Sequence, residues 1–147
     1  MSSLPQRRNK NRGYQQLRVW QDAIVLYGLV CWTMKGWSFE LKKVASQAIA
    51  SADSIHRNIA EGYTRRSLRE YLNFLNIARG SAGESVSGFI AYRAAEQITE
   101  SQFEELDNLA FRLENGLLKL IESLERKRDD GSWEDSLIIQ ESNVTYG

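Results

Sequence analysis

The chain has one cysteine, Cys31, one proline, Pro5, and one histidine, His56, and its formal net charge is zero. Each scarcity excludes something. A lone thiol cannot close an intrachain disulfide, and a reducing, cytoplasmic setting is the simple expectation. A lone histidine with no cysteine beside it does not make a metal site. The sequence from Gln6 onward has no proline to interrupt a helix, which suits long helices because proline removes a backbone donor and clashes in a helix interior. The longest apolar stretch, 23–34, is too short to span a bilayer, so no membrane role is expected. The basic start lacks the apolar core and cleavage site of a signal peptide. There is no glycine-rich phosphate loop, no H-E-x-x-H and no spaced cysteine pair. Cys31 reads as a small core hydrophobe, and paired acids such as Glu104 and Glu105 read as a solvated helix face. The expectation is therefore a protein without enzymatic activity, cofactor or metal.

The charge that is present is arranged unevenly. Arg7, Arg8, Lys10, Arg12 and Arg18 open the chain with no acid among them, and Asp129, Asp130, Glu134, Asp135 and Glu141 close it with no base. This divides the chain into a flexible basic arm over 1–16, a body over 17–128 and an acidic tail over 129–147. A length of 147 residues suits one domain.

The body reads as four helices. Trp20, Ile24, Tyr27, Cys31 and Met34 recur at steps of four and three, the spacing of one helix face. The other faces of this segment, 18–35, are apolar as well: Val19, Val25, Leu26, Leu29 and Trp32. A helix apolar all round has to be covered all round. Three companion helices cover one side, so the other predicts either a second copy of the chain or the terminal segments folded over it. The second segment, 39–61, carries Leu41, Ala45, Ala48, Ala52, Ile55 and Ile59 on its seam. Ser38 is its expected N-cap and Gly62 its expected left-handed terminator.

The third segment, 68–97, begins at a capping box, Ser67 with Glu70. Its middle holds Gly80, Gly83 and Gly88. Each helical glycine costs about 1 kcal/mol relative to alanine, so three close together predict close approach by a neighbouring helix. The fourth segment, 102–127, has a second expected capping box, Ser101 with Glu104. Its seam is Phe103, Leu106, Ala110, Leu113, Leu117, Leu120 and Leu124. Short links make sequential helices antiparallel neighbours. The expected fold is all-α, an up-down-up-down antiparallel four-helix bundle. Its candidate oligomer contacts are Val19, Val25, Leu26, Leu29, Trp32, Gly80, Gly83 and Gly88.

The run from Ser54 to Glu84 carries a family signature. Ser54, Ile55, Asn58, Ile59, Ala60, Glu61 and Gly62 fit S-I-x-x-N-I-A-E-G. Arg65, Ser67, Glu70, Tyr71, Phe74, Leu75, Ile77, Ala78, Gly80, Ser81 and Glu84 continue it, and Leu17, Val19, Trp20, Gln21 and Ala23 fit the opening of the first helix. The chain resembles the four-helix-bundle proteins encoded in intervening sequences of bacterial 23S ribosomal RNA genes, over about residues 17–125. The resemblance implies a ring-like homopentamer, with related bundles acting as nucleic-acid-binding accessory subunits of reverse transcriptases in retroelements. Two departures stand out: His56 and Arg57 where a small residue or proline is usual, and Ser85 where leucine is usual.

Candidate ligand contacts follow from the cations. Arg57, Arg65, Arg66 and Arg69 surround the second turn with Tyr63 among them, a ring able to stack on a base, and Arg7, Arg8, Lys10 and Arg12 can lie on a phosphate backbone. Asn58, Glu61 and Glu84 read as a polar clasp between helices, with Glu61 receiving Arg65 or Arg79 and Asn58 bonding a neighbouring helix end. The partners expected are further copies of the chain, RNA or DNA, and a reverse transcriptase or other RNA-handling protein. The alternative is an adaptor, without a nucleic-acid role, that recruits a protein through its acidic C-terminal tail, 129–147.

Overall fold

In the computed structural model, which describes residues 9–131, the chain is helical throughout and holds no strand among the described residues. A 3-10 turn, Lys10–Gln16, leads into α1, Arg18–Met34. A second 3-10 turn, Phe39–Leu41, runs directly into α2, Lys42–Tyr63. Helices α3, Leu68–Ala94, and α4, Glu100–Asp129, follow. Helix α1 packs on α2 and α4, and α3 packs on the same two. The diagonal pairs α1–α3 and α2–α4 do not approach each other. The core lies along the shared axis: Ala23, Leu26 and Val30 from α1, Ala52, Ile55 and Ile59 from α2, Leu75, Ala78 and Ala82 from α3, and Leu106, Ala110, Leu113 and Leu117 from α4 are all fully buried.

The helix ends show which sequence signals mattered. At α3 the Ser67 hydroxyl accepts from the Glu70 amide at 3.1 Å, the expected cap, and donates to the Glu70 carboxylate at 3.1 Å in place of the full capping box. At α4 the cap is Thr99 rather than Ser101. Its hydroxyl accepts from the Gln102 amide at 3.1 Å while the Gln102 side-chain oxygen accepts from the Thr99 amide at 2.9 Å. The earlier start has a physical reason. It puts Ile98 and Phe103, both buried, at the two positions flanking the first turn where a hydrophobic pair fixes the incoming chain. Ser38 makes no side-chain cap bond and precedes the 3-10 turn, not α2 itself.

Gly62 is not a left-handed terminator. It lies inside α2, and the only residues with left-handed backbone among those described are Glu96 and Gly131. Its role is space: a Cβ there would stand 2.8 Å from the Phe74 Cβ and 3.2 Å from the Tyr71 carbonyl oxygen. The glycine lets the start of α3 close onto the end of α2. Helix α3 ends three residues earlier than expected. Glu96 (φ 57°) turns the chain, and the Gln97 and Glu96 amides bond the Tyr92 and Arg93 carbonyls at 2.8 and 3.0 Å.

Within the protomer the glycines of α3 meet no neighbouring helix. Gly80 and Gly83 point away from the protomer with nothing within 4 Å of a notional Cβ, and beside Gly88 the Tyr92 ring occupies the gap. Close approach to α2 is made on the neighbouring face by serines and alanines. Ser54 and Ser81 share a hydrogen bond at 3.0 Å, and Ser85 donates to Ser51 at 3.4 Å. Ser85, where leucine is usual, therefore sits buried in a seam of small polar side chains. Asn58 bonds back to Ser54 of its own helix, at 2.8 and 2.9 Å, and not to a neighbouring helix end.

Helix α1 divides into two faces. Val19 and Leu26 are buried in the protomer's own core, so neither offers its side chain to a second copy. Leu29 is half-buried against that core. Val25 and Trp32 are 56% and 71% exposed on the outer face, with Gly28 between them and open space over it.

Candidate nucleic-acid interface at one end of the bundle

The aromatic rings near the second turn tie several chain segments together. Tyr14 meets Trp20 edge-on at 5.4 Å between centroids and Tyr63 at 6.3 Å, and Tyr63 meets Tyr71 at 6.0 Å. The start of α1, the end of α2 and the start of α3 therefore share one end of the bundle. Arg69 near the start of α3 lines a groove with Glu125 and Arg128 near the end of α4, which brings α4 to the same end.

The basic segment 10–16 is thus not a free arm. Its 3-10 turn docks on α1 and α2, and Gly13 lies against the Tyr63 ring so closely that a side chain there would overlap the hydroxyl. Tyr63 is consumed by the same packing. Its ring bridges Tyr14 and Tyr71 and is not an open platform for a base. Burial and the neighbouring Tyr63 push the Tyr71 phenol well above its ordinary range, so it stays protonated as a packing group. Arg7 and Arg8 lie outside the described residues, as does the tail from 132 onward.

The cations at this end differ in how firmly they are held. Arg65 bonds Glu61 at 2.5 Å, lies 3.9 Å from Glu70 and rests over the Phe74 ring at 4.8 Å. Arg57 bonds Asp53 at 2.5 Å through Nε. His56 bonds the other oxygen of Asp53 at 2.7 Å, is only 18% exposed and packs its ring 5.8 Å from Tyr27. Burial alone would raise the Asp53 carboxyl, but the His56 and Arg57 bonds outweigh it and hold the group below the usual carboxylate range. Arg12 and Arg69 form no ion pair among the described residues. Arg66 and Lys10 are exposed and engaged with neighbours.

Sequence reasoning missed one contribution. Arg126, Lys127 and Arg128, which complement the α4 dipole, arrive at the same end as the second turn because α4 finishes where α3 begins. The available signal was the even number of helices between the two basic clusters. Together with Lys10, Arg12, Arg57, Arg65, Arg66 and Arg69 they outnumber, among the described residues, the local carboxylates Asp53, Glu61, Glu70, Glu125, Asp129 and Asp130. Among the described residues, a chain with zero net charge therefore carries a cationic end.

Two grooves flank this end. One, of about 570 Å³, is lined by Arg12 and Tyr14 from the turn, Trp20 and Ile24 from α1, and His56, Arg57, Ala60 and Glu61 from α2. The other, of about 330 Å³, holds Arg69, Asn73 and Asn76 of α3 opposite Glu125 and Arg128 of α4. The Trp20 indole N–H is buried with no acceptor among the described residues. Leaving such a donor unmade costs about 1–3 kcal/mol. Among the described residues no three His, Cys, Asp or Glu side chains gather as a metal site would need, and no helix is long and apolar enough to cross a membrane.

Residues 15–119 match the family model described as 23S rRNA-intervening sequence protein. The chain belongs to that family. The Ser54–Glu84 signature lies wholly within the matched span. A crystal structure of a protein with unknown function from the S23 ribosomal protein family, from Bacteroides thetaiotaomicron, is 24% identical with a TM-score of 0.61. The match covers 78% of this chain and 99% of that one. At that identity it speaks for the fold. No curated protein matches.

Proposed function

We propose that this 23S rRNA-intervening sequence protein is a non-enzymatic, homopentameric scaffold that binds nucleic acid, RNA foremost, through the cationic end of an antiparallel four-helix bundle. In this reading it serves in the cytoplasm as an accessory to an RNA-handling enzyme such as a reverse transcriptase. The up-down-up-down order is supported by cross-helix pairs that run in opposite directions: Ser51 with Ser85, Ser54 with Ser81, and Gly62 beside Phe74. The oligomer is supported by the outer stripe of α1, Val25, Gly28 and Trp32, and by the outward Gly80 and Gly83 of α3 beside the exposed Ile77 and Ile90. A helical glycine with nothing against it costs stability in the protomer, and a second copy gives it a use.

The observation that carries the binding reading is the convergence of Arg12, Arg57, Arg65, Arg66, Arg69, Arg126, Lys127 and Arg128 on one end. Each cation that neutralises a phosphate releases condensed counterions, so affinity falls steeply with salt and depends little on sequence. Repetition around a ring multiplies the effect through avidity.

Titration of a fluorescent single-stranded RNA at 50 and 200 mM salt tests this. Arg69→Ala with Lys127→Ala is expected to weaken binding evenly across sequences and to lower the salt slope by about 1.4, about 0.7 for each phosphate no longer neutralised. No binding at low salt, or an unchanged slope, overturns the reading. Light scattering tests the assembly: five times 16.9 kDa gives about 85 kDa. Val25→Lys with Trp32→Ser is expected to lower that mass, and a wild-type monomer refutes the pentamer.

A further inference from the structure

We propose that the groove between the 3-10 turn, α1 and α2 receives one unpaired nucleotide of a single strand, its base against Trp20 and Ile24 and its phosphate between Arg12 and Arg57. The inference rests on the nucleic-acid reading and narrows it from a charged end to a pocket with a stated occupant.

Four observations point to this occupant. The groove's volume, about 570 Å³, lies within the ~300–1,000 Å³ typical of sites for small ligands. Its wall chemistry is divided: Trp20 and Ile24 supply an aromatic and aliphatic surface, and Arg12 and Arg57 supply charge. Ala60, a small residue in the same lining, leaves room where a larger side chain would fill the space. Arg57 is pre-positioned. Asp53 holds its Nε at 2.5 Å, while the side chain remains 71% exposed, so its terminal nitrogens are oriented and open to solvent. Pre-orientation of this kind lowers the entropy lost on binding.

One further group suits a base better than a bare anion. Glu61, engaged by Arg65, lines the groove with acceptor capacity to spare for an exocyclic amino group. A carboxylate in the lining would repel an isolated phosphate. Base pairing hides both the faces and the polar edges of bases, so a duplex cannot offer these contacts, whereas a single strand can.

The test uses the full chain and three fluorescein-labelled ten-nucleotide probes at 50 mM salt: a mixed-sequence RNA, the same ribose-phosphate strand with every base removed, and the RNA in a duplex. Wild type is expected to bind the base-bearing strand at least about tenfold more tightly than the abasic strand, the scale of a stacked base, and more tightly than the duplex. Ala60→Trp fills the groove, and circular dichroism checks its fold. This variant is expected to bind the base-bearing and abasic strands alike. Equal affinity of wild type for these two strands overturns the pocket while leaving the charged end standing. Duplex binding as tight as single-strand binding does the same. Absence of binding to all three probes overturns both readings. Should Ala60→Trp not fold, the abasic comparison on wild type decides alone.

Discussion

The clasp between α1 and α4 makes a prediction about asymmetry. Arg112 donates from Nε to Asp22 at 3.2 Å and from a terminal nitrogen to its other oxygen at 2.9 Å, a bidentate pair. The two partners are not equally buried: the Asp22 side chain is 9% exposed and that of Arg112 is 60% exposed. Removing the arginine strands a carboxylate in the protein, whereas removing the aspartate leaves a guanidinium that can turn into water. Hydrogen bonds to charged groups contribute about 1.5–3 kcal/mol net. The exposure of Arg112 reduces the gain from the pair, so Arg112→Met is expected to cost about 2 kcal/mol. Asp22→Leu is expected to cost less than about 1 kcal/mol, because an exposed charge keeps its hydration. Joining both changes replaces the pair by apolar contact and is expected to return stability to within about 1 kcal/mol of wild type. Thermal melts at fixed protein concentration read this out at roughly 3 °C per kcal/mol for a chain of this size. The expected pattern is a loss of about 6 °C, a loss of less than 3 °C, and near recovery in the double variant. Equal losses from the two single variants, or a double variant that loses their sum, would refute the reasoning.

Two further changes probe the packing and the charge. Alanine normally stabilises a helix interior by about 1 kcal/mol over glycine, but at Gly62 its methyl group would overlap the Phe74 Cβ, and overpacking costs about 1–3 kcal/mol. Gly62→Ala is therefore expected to lower the melting temperature, and a rise would show that α2 and α3 do not close there. Glu114 is the opposite case, because burial and then Asp107 push its carboxyl above the usual range, only partly offset by Arg79. A raised folded pKa means that ionisation costs stability; that cost is fully present above the folded value and disappears as pH falls to the unfolded value near 4.5. Glu114→Gln is expected to raise the melting temperature by one or two degrees at pH 7, an effect below about 1 kcal/mol, and to leave it unchanged near pH 4. A gain that persists in acid refutes this account.

The fold was largely legible because apolar spacing is set by the core it must fill. Of the predicted α4 seam, Phe103, Leu106, Ala110, Leu113, Leu117 and Leu124 are buried as periodicity required, but Leu120 is only half-buried and Ile121 enters the core beside it. The signals that misled are those with two physical uses. Glycine serves both a left-handed turn and a close approach, and at Gly62 the second use won. Capping pairs recur by chance in polar sequence. Between Thr99 with Gln102 and Ser101 with Glu104, the choice fell to the pair that also buries Ile98 and Phe103. The reading of α1 named the wrong seam: of Trp20, Ile24, Tyr27, Cys31 and Met34 only Met34 is buried, and Val19, Ala23, Leu26 and Val30 fill the core instead, because in a segment apolar on every face the pattern cannot choose a face without the positions of α2 and α4.

The candidate site was legible as composition and illegible as geometry. The arm and the second turn were both marked by arginine, yet nothing in either stretch says that Arg12 and Arg57 border one groove. That follows only once Tyr14, Tyr63 and Tyr71 fasten three chain segments together. The same rings that assemble the site remove Tyr63 from it, because a ring used as mortar cannot also be a platform. The basic end of α4 joins for a topological reason. In a chain of helices joined by short links, every second terminus returns to the same end, so clusters two helices apart in sequence add their fields. Net charge averages over both ends and cannot register this. The quantity that bears on a polyanion is the charge within about one Debye length, ~8–10 Å at physiological salt, of the surface it meets. Among the described residues of this end that charge is positive.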